Sequence, residues 1–390
     1  MAVLEKAPIV CSSIKETGEK YEGEIEQEDA GTPKITIPYD PDKIKIDQAN
    51  VNLGFLIEKL QYDEIDLMPD FQRSMDLWDE TKKSQLIESL LLGLPLPSFY
   101  FSVDEKSKKQ NRWLVVDGLQ RLCTFNDFII NKKLKLSGLE FLKSTDYEGK
   151  SYENLSTEDK RKISGTKINF YVIERQTPSY VKFIIFKRVN TGGLVLTSQE
   201  MRHALNQGIP STFIDELAKL EEFKQATDNR IPSKRMEDRD FANRFVAFYL
   251  LGYDTNYNGE LDKFLNDSLQ KLAESTKEER IKIKEAFRKS MELSYKIFGN
   301  DAFRRRHSRE DNRKPISKAV FDTVSVNFAW LSDDQQIQLL DKKEDLQQRL
   351  IELFRDEIFY QSITMATGQK SSVKNRFEII KNMLTELLVK

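Results

Sequence analysis

Strand-like patterning in this chain stops at residue 174, and the longer patterned segments after residue 198 repeat with a helical period. The strand candidates are two short pieces within 33–48 broken by Pro38 and Pro41, an extended stretch at 65–68, and the runs 99–103, 113–116 and 168–174. Helical patterns lie between them at 52–61 and 122–130 and after them at 180–189. Another helix starts at Asp79, which reads as an N-cap, and stops at Gly93. Leu94-Pro95-Leu96-Pro97 then forces an extended exit, because a proline disfavours helix in the residue before it. Beyond Ser198 the helical candidates are 213–225, 240–252, 260–273, 276–298, 334–357 and 374–389. Strands interleaved with helices, followed by helices alone, predict an α+β chain whose C-terminal half is mostly helical. The expected divisions are a mobile acidic tail at 1–32, an α+β domain at 33–206 and a helical domain at 207–390.

Composition narrows the chemistry. With 390 residues there is material for two domains. Acids and bases nearly cancel, leaving a net charge of −2, so any nucleic-acid surface has to be a local patch. The two cysteines, Cys11 and Cys123, form no metal motif or disulfide framework, which points to a reducing cytoplasm. The apolar run at 245–253 is too short to span a bilayer, so no membrane is expected as a partner. Only His203 and His307 are present, which excludes a Cys/His zinc site and an HNH-type nuclease. An enzyme built on this sequence must use carboxylates, Gln, Arg and a bound divalent ion.

Residues 113–121 carry the densest chemistry. The apolar run Trp113-Leu114-Val115-Val116 ends in Asp117-Gly118 and turns at once into Leu119-Gln120-Arg121. A strand that ends this way puts polar groups at a sheet edge where open sheets bind ligands. Asp117 is either a magnesium or water contact or the cap of the next helix. Arg121 is either a phosphate ligand or the partner of Asp117 or Glu200. Gln120 either positions a water or a phosphate oxygen or lies exposed. Gly118 permits close backbone approach. Three further segments pair turn residues with charged groups: Pro69-Asp70-Phe71-Gln72-Arg73, Arg188-Val189-Asn190-Thr191-Gly192-Gly193 and Ser198-Gln199-Glu200-Met201-Arg202.

In this order and spacing the segments resemble the N-terminal domain family of GmrSD-type (type IV) restriction systems. The likeness runs from about residue 50 to about residue 206. It rests on Phe71-Gln72-Arg73, Gly93-Leu94-Pro95-Leu96-Pro97, Asp117 to Arg121, and the signature from Arg188 through Asn190, Gly192 or Gly193 and Leu196 to Glu200 and Arg202. A weaker match lies at Ala366-Thr367-Gly368 with Arg376. Leu119 stands where the family pattern has the first glutamine of Asp-Gly-Gln-Gln-Arg.

The resemblance implies a ParB/sulfiredoxin-like N-terminal fold that binds a nucleoside triphosphate with Mg2+, and hydrolysis in defence against phage or foreign DNA. It implies Asp117, Gln120 and Arg121 as catalytic residues, with Asp117 on the metal. Gln72, Arg73, Gly118, Arg188, Asn190, Thr191, Gly192, Glu200 and Arg202 would hold the nucleotide. Such proteins carry or recruit a His-based nuclease, absent here, so a separate effector subunit is expected. A homo-oligomer is a further candidate partner.

Two basic clusters lie in the helical half. One contains Arg304, Arg305, Arg306, Arg309, Arg313 and Lys314, the other Arg230, Lys234, Arg235, Arg239 and Arg244. Arg304, Arg305 and Arg306 are the candidate nucleic-acid contacts, against the alternative of a solvated face. Phe321, Phe328 and Trp330 are expected in the core. The competing functions are a DNA-binding or DNA-nicking ParB-like protein and a nucleotide-sensing scaffold without turnover.

Overall fold

A computed structural model describes residues 25–26, 44–67, 78–103, 112–143, 145–189, 197–308 and 310–389. The expected residues Gln72, Arg73, Asn190, Thr191, Gly192 and Arg309 lie outside the described residues, as does most of 33–48.

The N-terminal part is built on a five-stranded mixed sheet in the order β1-β5-β3-β4-β2. Strand β1 (Ile46–Asn52) runs antiparallel to β5 (Lys167–Ile173), which runs parallel to β3 (Phe99–Val103). Strand β3 is antiparallel to β4 (Trp113–Asp117), and β4 is parallel to the two-residue β2 (Ile65–Asp66). Alternation sends Phe99, Phe101, Val103, Phe170 and Val172 to one face. There they bury against Leu53 and Leu56 of α1 (Leu53–Gln61), Ile87 and Leu90 of α2 (Glu80–Leu92), and Leu122 and Phe125 of α3 (Leu119–Phe125).

Local chemistry sets these helices. The Asp79 side chain accepts from Lys82 N at 2.8 Å to start α2, and Gly93 stops it at φ +78°. A short α4 (Thr157–Gly165) opens on a Ser156–Asp159 capping box and leads into β5.

The other sheet face, through Val116 and Ile173, meets Phe183 and Phe186 of α5 (Ser179–Val189) and Met201 of α6 (Ser198–Leu205). The end of β4 therefore lies between two helical layers.

From residue 209 the described chain is helical: α7 (Ile209–Ala218), α8 (Glu221–Ala226), α9 (Glu237–Leu251), α10 (Leu261–Glu274), α11 (Lys277–Phe298), α12 (Lys318–Ala329), α13 (Asp333–Asp341), α14 (Lys343–Leu353), α15 (Glu357–Thr364) and α16 (Lys370–Val389). One apolar core from Phe213 to Leu387 joins them. None of the described helices is long and apolar enough to cross a membrane.

Several expectations change, and the helix expected at 213–225 divides between α7 and α8 at Leu220, whose backbone is non-helical at φ −60°, ψ 135°. The segment 334–357 is not one helix but α13, α14 and the start of α15, because the backbone leaves helical geometry at Lys342 (φ −105°, ψ 20°) and again at Asp356 (φ −69°, ψ 127°). Trp330 is 40% exposed, whereas Phe321 and Phe328 are core, because Trp330 is the C-cap of α12 and lies past its buried run. Within the stretch read as a mobile tail, Ile25 is bridged to Ile316 and packs on the helical core, and Glu26 N donates to Ile316 O at 2.9 Å.

Candidate functional site

The end of β4 is irregular. The β3–β4 register shifts between Tyr100 and Phe101, so that Phe101 faces Val115 while Tyr100 faces Asp117. Such a shift re-aims a strand-end side chain. It places Asp117 beside Tyr100, whose ring stacks on Tyr171 with centroids 4.8 Å apart. Burial raises the Tyr100 pKa, and Tyr171 and Asp117 add to the effect. Burial likewise raises the Asp117 carboxyl above the usual aspartate range, against the pull of Arg121 and the Gly118 N–H.

Gly118 follows at φ +100°, a backbone region that side-chain-bearing residues rarely adopt. This turn starts α3 at once, so Arg121 comes back beneath Asp117. Its Nη2 donates to Asp117 Oδ2 at 3.2 Å and to Ser98 O at 3.0 Å, and its Nη1 donates to Pro97 O. The guanidinium lies 4.3 Å from the centre of the buried Phe99 ring. Burial lowers the Arg121 pKa, against Asp117, so both partners of this pair are governed by loss of water. Arg121 thus clamps the Pro97–Ser98 exit from the proline segment and the strand end together. Of its two sequence readings, the pairing with Asp117 is present. The carbonyl partners have no side-chain signature from which a sequence reading could have found them.

Leu119, at the departure from the family pattern, packs against the N-terminal core, while its neighbour Gln120 is half-buried. Arg188 is exposed in the last turn of α5, immediately before 190–196.

Glu200 and Arg202 go elsewhere. Glu200 closes a capping box with Thr197 and pairs with Arg235 at 3.0 Å. Burial raises its pKa, against the Thr197 N–H and Arg235. Arg202 is 2% exposed and bonded to Gln199 Oε1 at 2.9 Å, Asp262 Oδ1 at 2.9 Å and Asp240 Oδ1 at 2.7 Å. Asp262 also takes Lys187 of α5 at 2.9 Å, and Asp240 takes Lys318 at 3.0 Å. The end of the signature therefore ties the sheet-bearing part to α9, α10 and α12. Burial alone would raise the Asp240 pKa, but Lys318, Arg202 and Arg244 overcome it and hold the carboxyl far below the ordinary range.

Folding thus removes protons from Asp240. Its contribution to stability is complete above about pH 4 and is lost as the pH falls further. Asp240→Asn should lower the melting temperature at pH 7 and flatten the acid limb of a melting-temperature-against-pH curve. An unchanged acid limb would contradict this coupling.

The arginine clusters are also engaged. Arg304 is 3% exposed and donates to Asn300 O and Lys314 O. Arg305 pairs with Glu26, and Arg306 with Asp301 at 2.6 Å. In the second cluster Arg230 meets Asp228, Arg235 meets Glu200, Arg239 meets Asp215 and Arg244 meets Asp322.

Residues 56–207 match the family model described as the GmrSD restriction endonuclease, N-terminal domain. This segment is a GmrSD-type N-terminal domain. The match takes in the sheet from β2 onward, the Asp117–Arg121 turn and the whole Arg188–Arg202 signature. It associates the chain with restriction systems. No curated protein and no solved structure matches the chain. The remaining helical part, from Ile209 on, lies beyond the GmrSD-type domain.

Proposed function

We propose that the chain is the nucleoside-triphosphate-binding and hydrolysing module of a restriction-like antiviral defence system, acting with a separate effector. The observation that carries this reading is Asp117, a half-buried carboxylate that the β3–β4 register shift and the Arg121 pair fix at the strand end of the GmrSD-type domain. The metal such a reaction uses fits this setting. Among the described residues no three or more His, Cys, Asp or Glu side chains gather as a metal cage. Magnesium needs none, because it is commonly held by one or two carboxylates together with the nucleotide phosphates. Asp117 would hold it, and the ion would supply charge neutralisation at the phosphates.

The chain's own residues divide the remaining work. Asp117, with Oδ2 held by Arg121, presents its other carboxylate oxygen to the ion. Gln120, one position before Arg121 in the first turn of α3, orients the attacking water. Arg188, exposed at the end of α5, supplies positive charge to the phosphates. Gly118 lets the backbone approach the nucleotide. Arg121 acts as a positioning residue, fixing Asp117 against Pro97 and Ser98. Gln72, Arg73, Asn190, Thr191 and Gly192 complete the proposed nucleotide contacts.

The test is phosphate release from a panel of nucleoside triphosphates with magnesium. The wild type should turn over with magnesium and stop when the ion is chelated. Asp117→Asn should lose most of the rate at saturating nucleotide and need far more magnesium for what remains. No release from any triphosphate would remove the hydrolytic reading.

A further inference from the structure

Arg305 of the 304–306 run is held by the chain's own N-terminal segment. Arg305 directs Nε and Nη2 at one carboxylate oxygen of Glu26. Its Nη1 donates to the Tyr360 hydroxyl at 3.3 Å, and its guanidinium lies 5.5 Å from the Tyr360 ring centre. Tyr360 is 37% exposed, with the His307 ring centre 5.7 Å from its own. Arg355, also exposed, donates through Nε to His307 O at 2.8 Å. A cavity of about 250 Å³ adjoins the pair, lined by Glu26, Arg305, Lys318, Thr364 and Thr367 among others. Cationic side chains interleaved with an accessible aromatic ring are what a single nucleic-acid strand requires: charge for the phosphates and a face for a base. Arginine suits the phosphates better than lysine because of its planar fork.

We infer that the Arg305–Tyr360–Arg355 surface binds single-stranded nucleic acid and that Glu26 occupies the phosphate position on Arg305 until a strand displaces it. The Glu26 carboxylate is the stand-in that marks the position. The backbone bridge at Ile25–Ile316 presents it there, and the 2.9 Å bond from Glu26 N to Ile316 O fixes its register. The sequence surrounds Glu26 with Glu22, Glu24, Glu28 and Asp29, so the segment has the charge of a competitor for a polyanion site. The surface belongs to the helical part, beyond the segment that matches the GmrSD-type domain.

The experiment measures binding of a labelled single-stranded oligonucleotide to the full chain at low and moderate salt. Glu26→Gln should raise the affinity about tenfold, the worth of one charge-assisted pair. Arg305→Gln placed on that background should abolish the gain. Tyr360→Ala, at an exposed side chain whose loss leaves the core intact, should lower affinity roughly tenfold or more. Affinity should fall steeply with salt.

Three results would overturn the inference: no binding by either the wild type or Glu26→Gln, equal affinity for both, or a gain insensitive to Arg305 and Tyr360. Equal binding of a duplex would overturn the assignment to single strands.

Discussion

Asp322→Ala should unfold the helical part at temperatures where the native chain is stable. Asp322 is fully buried in α12 and receives Arg244 Nε at 2.9 Å, Arg244 Nη2 at 2.6 Å and Arg376 Nη2 at 3.4 Å. Arg376 is itself 1% exposed and donates to Thr367 O at 2.6 Å, so α9, α12 and α16 meet at this carboxylate. Removing it leaves two guanidinium groups in a medium that solvates them poorly. Breaking a buried pair in this way costs about 3–5 kcal/mol, against a total stability of roughly 5–15 kcal/mol for a typical protein. The denaturant midpoint should fall sharply, while alanine at the more exposed Glu285, which pairs with Arg288 at the surface, should leave it almost unmoved. Equal midpoints for the two variants would show that the Asp322 cluster does not hold the helices together.

Gly118→Ala should be nearly as damaging, for a different reason. At φ +100° any side chain is strained, and a Cβ here would run into the Phe99 ring, with Cε1 only 2.9 Å away. The ring has no room to yield. Phe99 is fully buried, stacked on Phe101 at 6.4 Å and tilted against Phe125 at 6.3 Å, with Arg121 over its face. Strain and overpacking together should cost roughly 2–4 kcal/mol. The same shift would displace Arg121 from Pro97 and Ser98, so stability and ligand binding should fall together. A variant with wild-type thermal stability would contradict the geometry of the turn.

Local rules made much of this molecule legible. The Asp79 cap, the Gly93 stop and the prolines after it could be read directly, because each acts within a few residues. So could the strand–turn–helix junction at Asp117–Arg121. Helix α12 could not, because residues 319–328 are buried on all sides and leave no amphipathic period, and Val320, Val324 and Val326 favour extended structure. The split of 334–357 was hidden for the opposite reason: the helical period runs on through Lys342 although the backbone does not.

At the site, the Arg121–Asp117 pair was a stated alternative, being four residues apart on one turn. The partners of Arg202 were not accessible, since Asp240 and Asp262 lie 38 and 60 residues away and only the tertiary fold brings them in. Tyr100 and Tyr171 were read only as strand residues; what sets Tyr100 opposite Asp117 is a register shift that no side chain announces, and Tyr171 is the ring stacked on Tyr100.

The division of labour within the turn, with Arg121 holding the structure and Asp117 facing the ligand, has one direct measurement. It is calorimetric titration of a magnesium nucleoside triphosphate into the wild type and into Asp117→Asn, alongside the melting temperature of each. The wild type should bind with a saturable heat, and Asp117→Asn should keep most of its stability while losing most of its affinity. Undiminished binding by Asp117→Asn would contradict the account.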